Sequence, residues 1–232
     1  MMRQFFFFFL TAISVAMLCG CKHEPGVCYI QGVMGSDQYE GKRIFLVPLN
    51  GPATAETVDS IEIKDRKFEF TTDTMQMYKI ILDYHYRMGI QPLLVVGEPG
   101  VVKVTIDSIS HAGGTPQNDS LEQWKVLTEE HNHQMANFRR MMTILFPQGL
   151  PKDKEEMKRR SDNVTKMVEN MKMRSDSIHL AYKKRTRQMA ANLKEGPLHD
   201  FLADLYPTTY RKKLPDGRIV TMNADTNEEI PE

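Results

Sequence analysis

The apolar residues of this 232-residue chain change their rhythm once. From Val27 to Ala112 they alternate, or run in short blocks broken by Gly, Pro, Asn and Asp. From Asn118 to Tyr206 they recur every three or four residues. The first rhythm is that of strands with one buried face, the second that of helices packed along a stripe. Strands are predicted at Val27 to Val33, Arg43 to Leu49, Thr57 to Lys64, Lys67 to Thr71, Met77 to Tyr84, Pro92 to Val96 and Val101 to Asp107, with a short run at Ile109 to Ala112. The turns Gly35-Ser36-Asp37, Asn50-Gly51-Pro52 and Gly97-Glu98-Pro99-Gly100 separate them. No helical stretch intervenes, so an antiparallel β-sandwich or open barrel is predicted. Asp65-Arg66 lacks the glycine that a two-residue hairpin prefers at its second position, which predicts a longer or bulged connection.

Between the two rhythms lies His111-Ala112-Gly113-Gly114-Thr115-Pro116-Gln117-Asn118-Asp119-Ser120. Its glycines give the backbone freedom, Pro116 fixes one dihedral, and Asn118, Asp119 and Ser120 are good helix caps. A first helix should start at that cap and run to about Phe146, with Leu121, Trp124, Thr128, His131, Met135, Phe138, Met142 and Leu145 as its seam. Phe146-Pro147-Gln148-Gly149-Leu150-Pro151 stops it. A second should run from Lys152 or Asp153 to about Leu193 through Met157, Val164, Val168, Met171, Ile178, Tyr182 and Met189, before Gly196-Pro197. The short connection makes the two an antiparallel hairpin of coiled-coil character. The second helix, at about 40 residues or on the order of 60 Å, outruns a small sandwich. Part of it must project, kink or pair with another chain, and Ser161, Ser175 and Arg185 interrupt its seam. Leu198 to Tyr206 forms a short third helix, and Leu214 to Thr221 carries hairpin turn chemistry. The polar last ten residues are expected to fray.

The expected class is therefore α+β, a sandwich or open barrel followed by a long helical hairpin. Its parts are a signal peptide at 1–20, a tether at 21–26, the sandwich at 27–112, the joint at 113–118, the helical hairpin and short helix at 119–206, and a hairpin-like tail at 207–232.

Charge narrows the partners. The formal net charge is zero. Without Arg3 of the signal, 29 basic residues face 30 acidic ones, so no field of one sign points to nucleic acid. Met1 to Gly20 has a positive start at Arg3 and an apolar run through Phe5 to Leu18, the form of a targeting segment. Leu18-Cys19-Gly20-Cys21 resembles the lipobox of bacterial lipoproteins. That resemblance implies cleavage between Gly20 and Cys21 and lipidation of Cys21, with palmitate-type acyl chains holding the protein to a membrane. Lys22 rather than Asp after the lipidated residue favours the outer over the inner membrane, and the mature chain faces the periplasm or the cell surface. It then keeps one thiol, Cys28, and no intramolecular disulfide is possible. With Val27, Tyr29 and Ile30 around it, Cys28 reads as a small buried hydrophobe.

No stretch commits the chain to a reaction, a cofactor or a metal. Tyr84-His85-Tyr86-Arg87 forms an aromatic and basic cluster that suits a ligand surface, although a strand end with half-buried rings has the same appearance. Glu98 has no second acid near it in sequence and reads as part of a plain turn. His131 and His133 point to different faces of a helix, His131 into the seam and His133 outward, and lack the i, i+4 spacing of zinc enzymes. The many methionines fill a core or line an adaptable groove.

The order of several motifs carries a resemblance. Tyr29-Ile30-Gln31-Gly32, Lys67-Phe68-Glu69-Phe70, Gly97-Glu98-Pro99-Gly100 with Val101-Val102-Lys103-Val104, and Gly114-Thr115-Pro116-Gln117-Asn118 together resemble the domain of unknown function DUF4369. That domain stands ahead of thioredoxin-like or peroxiredoxin-like domains in Gram-negative envelope lipoproteins. Leu214 to Thr221 is similar to the opening hairpin of the thioredoxin-like part. No Cys-x-x-C is present and no Cys follows Cys28, so the resemblance brings no thiolate chemistry with it. The expectation is a non-enzymatic, lipid-anchored binding or scaffolding lipoprotein whose hairpin meets a protein partner or a second copy. The alternative is the accessory half of a split thiol-disulfide oxidoreductase or peroxiredoxin-like system, or a redox role for Cys28 itself.

Overall fold

A computed structural model describes residues 24–52, 54–82, 90–145, 162–214, 216–226 and 228–231. The strand half forms two four-stranded sheets that do not close into a barrel. One holds β4 (Lys67–Thr72), β1 (Cys28–Met34), β7 (Gly100–Ile106) and β8 (His111–Gly113) in that order; the other holds β3 (Asp59–Glu62), β2 (Arg43–Pro48), β5 (Met77–Leu82) and β6 (Leu93–Val96). Alternation decides which side chains enter the core. Cys28, Ile30 and Met34 of β1 point inward, with Phe68 and Phe70 of β4 and Val102, Val104 and Ile106 of β7. They meet Ile44 and Leu46 of β2 and Ile80 and Leu82 of β5 in one buried cluster. One pairing departs from the antiparallel expectation, because β1 and β7 run parallel, Cys28 against Gly100 through Met34 against Ile106. Parallel neighbours need a long crossover. Here the excursion through β2 to β6 supplies it, and no local sequence signal announces such a pairing.

The β3 to β4 connection corrects a second expectation. Lys64 and Lys67 exchange backbone hydrogen bonds of 3.0 and 2.8 Å around a tight two-residue turn, with Asp65 at φ 51° and Arg66 at φ 58°. Two non-glycine residues in the left-handed region cost roughly 1–2 kcal/mol each. The Glu40 carboxylate offsets that cost by accepting from the amides of both, at 2.8 Å from Asp65 and 3.0 Å from Arg66. A residue 25 positions away thus does locally what a glycine would do. Arg66→Gly is expected to stabilise the fold by about 1 kcal/mol, since the exposed pairing of Arg66 with Asp37 at 3.3 Å is worth little. Glu40→Ala is expected to destabilise it. A denaturation midpoint that falls in Arg66→Gly contradicts this account.

Three helices follow: α1 (Pro116–Leu145), α2 (Asp162–Asn192) and α3 (Pro197–Leu205). Thr128 contacts Tyr182 and His131 contacts His179, so position falls along α2 as it rises along α1 and the helices are antiparallel. The predicted start of the second helix at Lys152 or Asp153 lies outside the described residues. Helix bases and sandwich share an apolar cluster in which Leu121, Trp124 and Leu127 of α1, Tyr182 and Ala190 of α2 and Leu198 and Leu202 of α3 pack on Met77 of β5 and Val96 of β6. Trp124 meets Phe201 edge-on at 5.5 Å. The predicted seam of α1 is therefore buried only near its start, and Leu145 at its far end is 41% exposed.

The tail differs from the expectation of fraying. β9 (Thr209–Lys213) and β10 (Ile219–Asn223) form the predicted hairpin, and the chain then folds back, the amide of Ile230 donating to the carbonyl of Thr221 at 2.8 Å. Arg187 of α2 ties this unit down through the carbonyls of Tyr206 and Pro207 and the Asp225 carboxylate. Backbone pairing and one forked guanidinium hold a segment whose composition alone reads as loose.

Candidate functional site

The joint is a densely hydrogen-bonded polar cluster, and it is assembled from two motifs far apart in sequence. α1 begins at Pro116, two residues before the predicted Asn118 cap. Its first amides are satisfied from the sandwich: the Glu98 carboxylate accepts from the amides of Gln117 at 2.6 Å and Asn118 at 3.2 Å. A negative side chain at a helix start also suits the positive end of the helix dipole. Glu98 is thus more than the plain turn residue that the sequence suggests; it is buried, and its partner lies 19 residues on.

Freed from capping, Asn118 is fully buried and behaves like one more residue of the sheet. Its side-chain oxygen accepts from the Val96 amide at 2.9 Å, and its Nδ2 donates to the Val96 carbonyl and the Thr115 hydroxyl, both at 2.8 Å. Gln117 reaches the other way, its Oε1 accepting from the Leu198 amide at 3.1 Å at the start of α3. Glu122, one turn into α1, accepts from the Ala112 amide at 2.9 Å and from Lys125 Nζ at 2.6 Å. Burial pushes the Glu122 pKa up, but the bond from Lys125 and then that from Ala112 outweigh it, leaving it below the usual carboxylate value. Every polar group of this cluster has a structural partner. Its geometry is that of a rivet between sandwich and helices.

Cys28 lies beside the rivet and is 2% exposed. Burial pushes its thiol pKa up, opposed by a hydrogen bond from the Glu98 backbone and reinforced by the Glu98 charge. A thiol raised in this way stays protonated at neutral pH and is a poor nucleophile. Alkylation of the folded protein by a thiol reagent at pH 7 should therefore be slow at Cys28 and become fast once denaturant is added. Equal rates in both conditions contradict the burial described here.

One open cleft of about 700 Å³ lies at the end of the sandwich where the chain enters β1. Tyr29 and Tyr78 line it with Asn50, Thr57, Thr72 and Gln76, and among the described residues its charged side chains are Glu24, Glu56, Asp59 and Asp73. Tyr78 is fixed by Thr72 and Gln76, each 2.9 Å from its hydroxyl.

The remaining sequence candidates separate. Gly20 and Cys21, where cleavage and lipidation are expected, and the cluster Tyr84, His85, Tyr86 and Arg87 lie outside the described residues. The His133 side chain is 73% exposed, 3.6 Å from Glu129. His131 sits between the helices, as its seam position predicts, and its neighbour there is His179, which reading along α1 alone does not reveal. Among the described residues no helix is long and apolar enough to cross a membrane.

Comparison with known families places the resemblance on firm ground for part of the chain. Residues 29–121 match the family model described as Domain of unknown function (DUF4369). The match spans both sheets and ends one turn into α1, so α2, α3 and the terminal hairpin lie beyond it. No curated protein and no solved structure matches the chain.

Proposed function

We propose that this chain is a lipid-anchored cell-envelope lipoprotein acting without catalysis, as a binding or scaffolding module whose helical hairpin receives a protein partner or a second copy. The observation that carries the reading is the change in burial along the hairpin. Near the sandwich α1 buries Leu121, Trp124 and Leu127, whereas Ile144 and Leu145 at its far end are 73% and 41% exposed. On α2, Met167 and Met173 are 43% and 62% exposed. Met141, Leu145, Met167 and Met171 line a groove there. Exposed Leu145 and Met167 beside the buried Met171 in that groove, with exposed Ile144 and Met173 elsewhere on the far half of the hairpin, suit an adaptable apolar contact.

The anchoring part rests on Leu18-Cys19-Gly20-Cys21 and on the short stretch between Cys21 and β1. A tether of that length would hold the Cys28 end of the sandwich close to the bilayer. The alternative, an accessory half of a split thiol-disulfide system, gains nothing from Cys28, which is buried with its pKa raised; any sulfur chemistry would have to come entirely from a second protein.

Crosslinking in intact cells, followed by sizing of the purified protein, tests the hairpin. The expected result is a product above monomer mass that disappears when Ile144 and Met173 are changed to Lys. Monomer alone under both conditions sinks the reading. For the anchor, labelled palmitate should enter the wild type and not Cys21→Ala.

A further inference from the structure

Two imidazoles meet across the hairpin. Nε2 of His131 on α1 lies 3.0 Å from Nδ1 of His179 on α2, with the ring planes tilted by 52°. The frame that brings them together does not depend on their mutual contact. The His131 ring stacks on Tyr182 at 4.3 Å, and the Tyr182 hydroxyl is tied to the Thr128 hydroxyl at 2.8 Å. Asn132 hydrogen-bonds the His131 imidazole. Arg185 of α2 bridges to Glu130 of α1 at 2.9 Å. Both helices are thus held at the height of the pair by contacts that leave the facing nitrogens available.

The His131 nitrogen is also in the form that ligates metals. Burial first, and then the neighbouring His179, hold the His131 pKa below its ordinary value, so the ring is neutral at neutral pH and keeps a lone pair. The separation matches a metal's requirement. Imidazole nitrogens bind zinc at about 2.0–2.1 Å, so two on one ion stand about 2.9 Å apart at a right angle and about 3.4 Å apart in a tetrahedron. The observed 3.0 Å falls inside that interval. Small rotations of the two rings would turn a nitrogen-to-nitrogen hydrogen bond into a shared ion.

We propose that His131 and His179 form a two-histidine site for a divalent transition-metal ion of the zinc, nickel or copper class, which cross-links α1 and α2. Imidazole pairs suit these borderline ions and not calcium or magnesium, which require oxygen donors. Among the described residues no third His, Cys, Asp or Glu joins the pair in a potential metal cluster, so water completes the coordination and the ion exchanges readily. Its effect is mechanical. The helices are joined at mid-length, beyond the apolar cluster that unites their bases. The inference does not depend on the partner reading above.

Isothermal titration of the full-length protein with zinc chloride in a non-chelating buffer at pH 7.5 tests it, together with thermal melts. One ion per chain, a rise in Tm with zinc and no heat with calcium are expected. His179 is exposed, so His179→Ala removes a ligand without opening the core. His131→Phe keeps a ring on Tyr182 but no nitrogen. With helicity unchanged, each variant should lose at least tenfold in zinc affinity, while His133→Ala binds as the wild type does. A wild type that takes up no zinc, or a His179→Ala protein with unaltered uptake, overturns the proposal.

Discussion

Replacing Asn118 by Leu is expected to lower the stability of the fold by roughly 3–4 kcal/mol, although Leu is close in size and better suited to a helix. The loss comes from what Leu leaves behind. Asn118 is fully buried, and its amide pairs with both the N–H and the C=O of Val96 and with the Thr115 hydroxyl. Each buried group left without a partner costs about 1–3 kcal/mol, more than an ordinary hydrogen bond contributes when present. Val96 has no water nearby to turn to, being itself 0% exposed. A change of this size in a chain of this length lowers Tm by on the order of 10 °C. Asn118→Asp makes the argument sharper. A carboxylate still accepts from the Val96 amide but cannot donate to the Val96 carbonyl, and it adds a buried charge beside Glu98. It should therefore be at least as damaging as Leu. A melting curve for Asn118→Leu within 2 °C of the wild type removes the joint from its role as the rivet between sheet and helix.

What the sequence made legible divides by range. Period-two and near-3.6 rhythms reveal the strands of the sandwich, the start of α1 and the end of α2 within a few residues, because most of these elements bury one face on a core. The misses come from side chains that reach across the fold. Nothing around Asp65-Arg66 tells of Glu40, and nothing around Pro116 tells that Glu98 caps α1 in place of the local Asn118. His179 is likewise invisible from the His131 end of the pair. Parallel pairing of β1 with β7 belongs to the same class, being a consequence of where five intervening strands go. The resemblance succeeds for a physical reason that the structure now exposes. Its motifs are the two halves of contacts. Gly97-Glu98-Pro99-Gly100 meets Gly114-Thr115-Pro116-Gln117-Asn118 at the rivet, and Tyr29-Ile30-Gln31-Gly32 lies against Lys67-Phe68-Glu69-Phe70 across β1 and β4. They specify packing between elements, and so they carry the fold to this chain.

The second of those contacts makes a prediction whose sign depends on one neighbour. Gly32 stands directly opposite Phe68 in the β1–β4 pairing, and the ring lies over the bare backbone: a Cβ at position 32 would fall 1.9 Å from Phe68 Cζ. By strand propensity alone Gly32→Ala should stabilise β1 by roughly 0.5–1 kcal/mol. Sterics reverse that. Phe68 is 4% exposed and packs edge-on against Phe70 at 5.9 Å, so it has no room to swing aside within the core. Forcing a methyl into a filled core costs about 1–3 kcal/mol, and a Phe driven partly into water loses up to a further 1.5–3 kcal/mol. Gly32→Ala alone is therefore expected to destabilise by roughly 3 kcal/mol. Phe68→Ala alone, a large-to-small change in the same core, should cost roughly 3–5 kcal/mol. The double variant is the discriminating one. With the ring removed, the alanine methyl occupies part of the vacated space, and Gly32→Ala should become neutral or stabilising in that background. The cycle then yields a coupling of about 2–3 kcal/mol between residues 36 positions apart, measured from urea midpoints of the four proteins. Additive costs would mean that Gly32 is held for its own backbone geometry and that the ring above it is incidental.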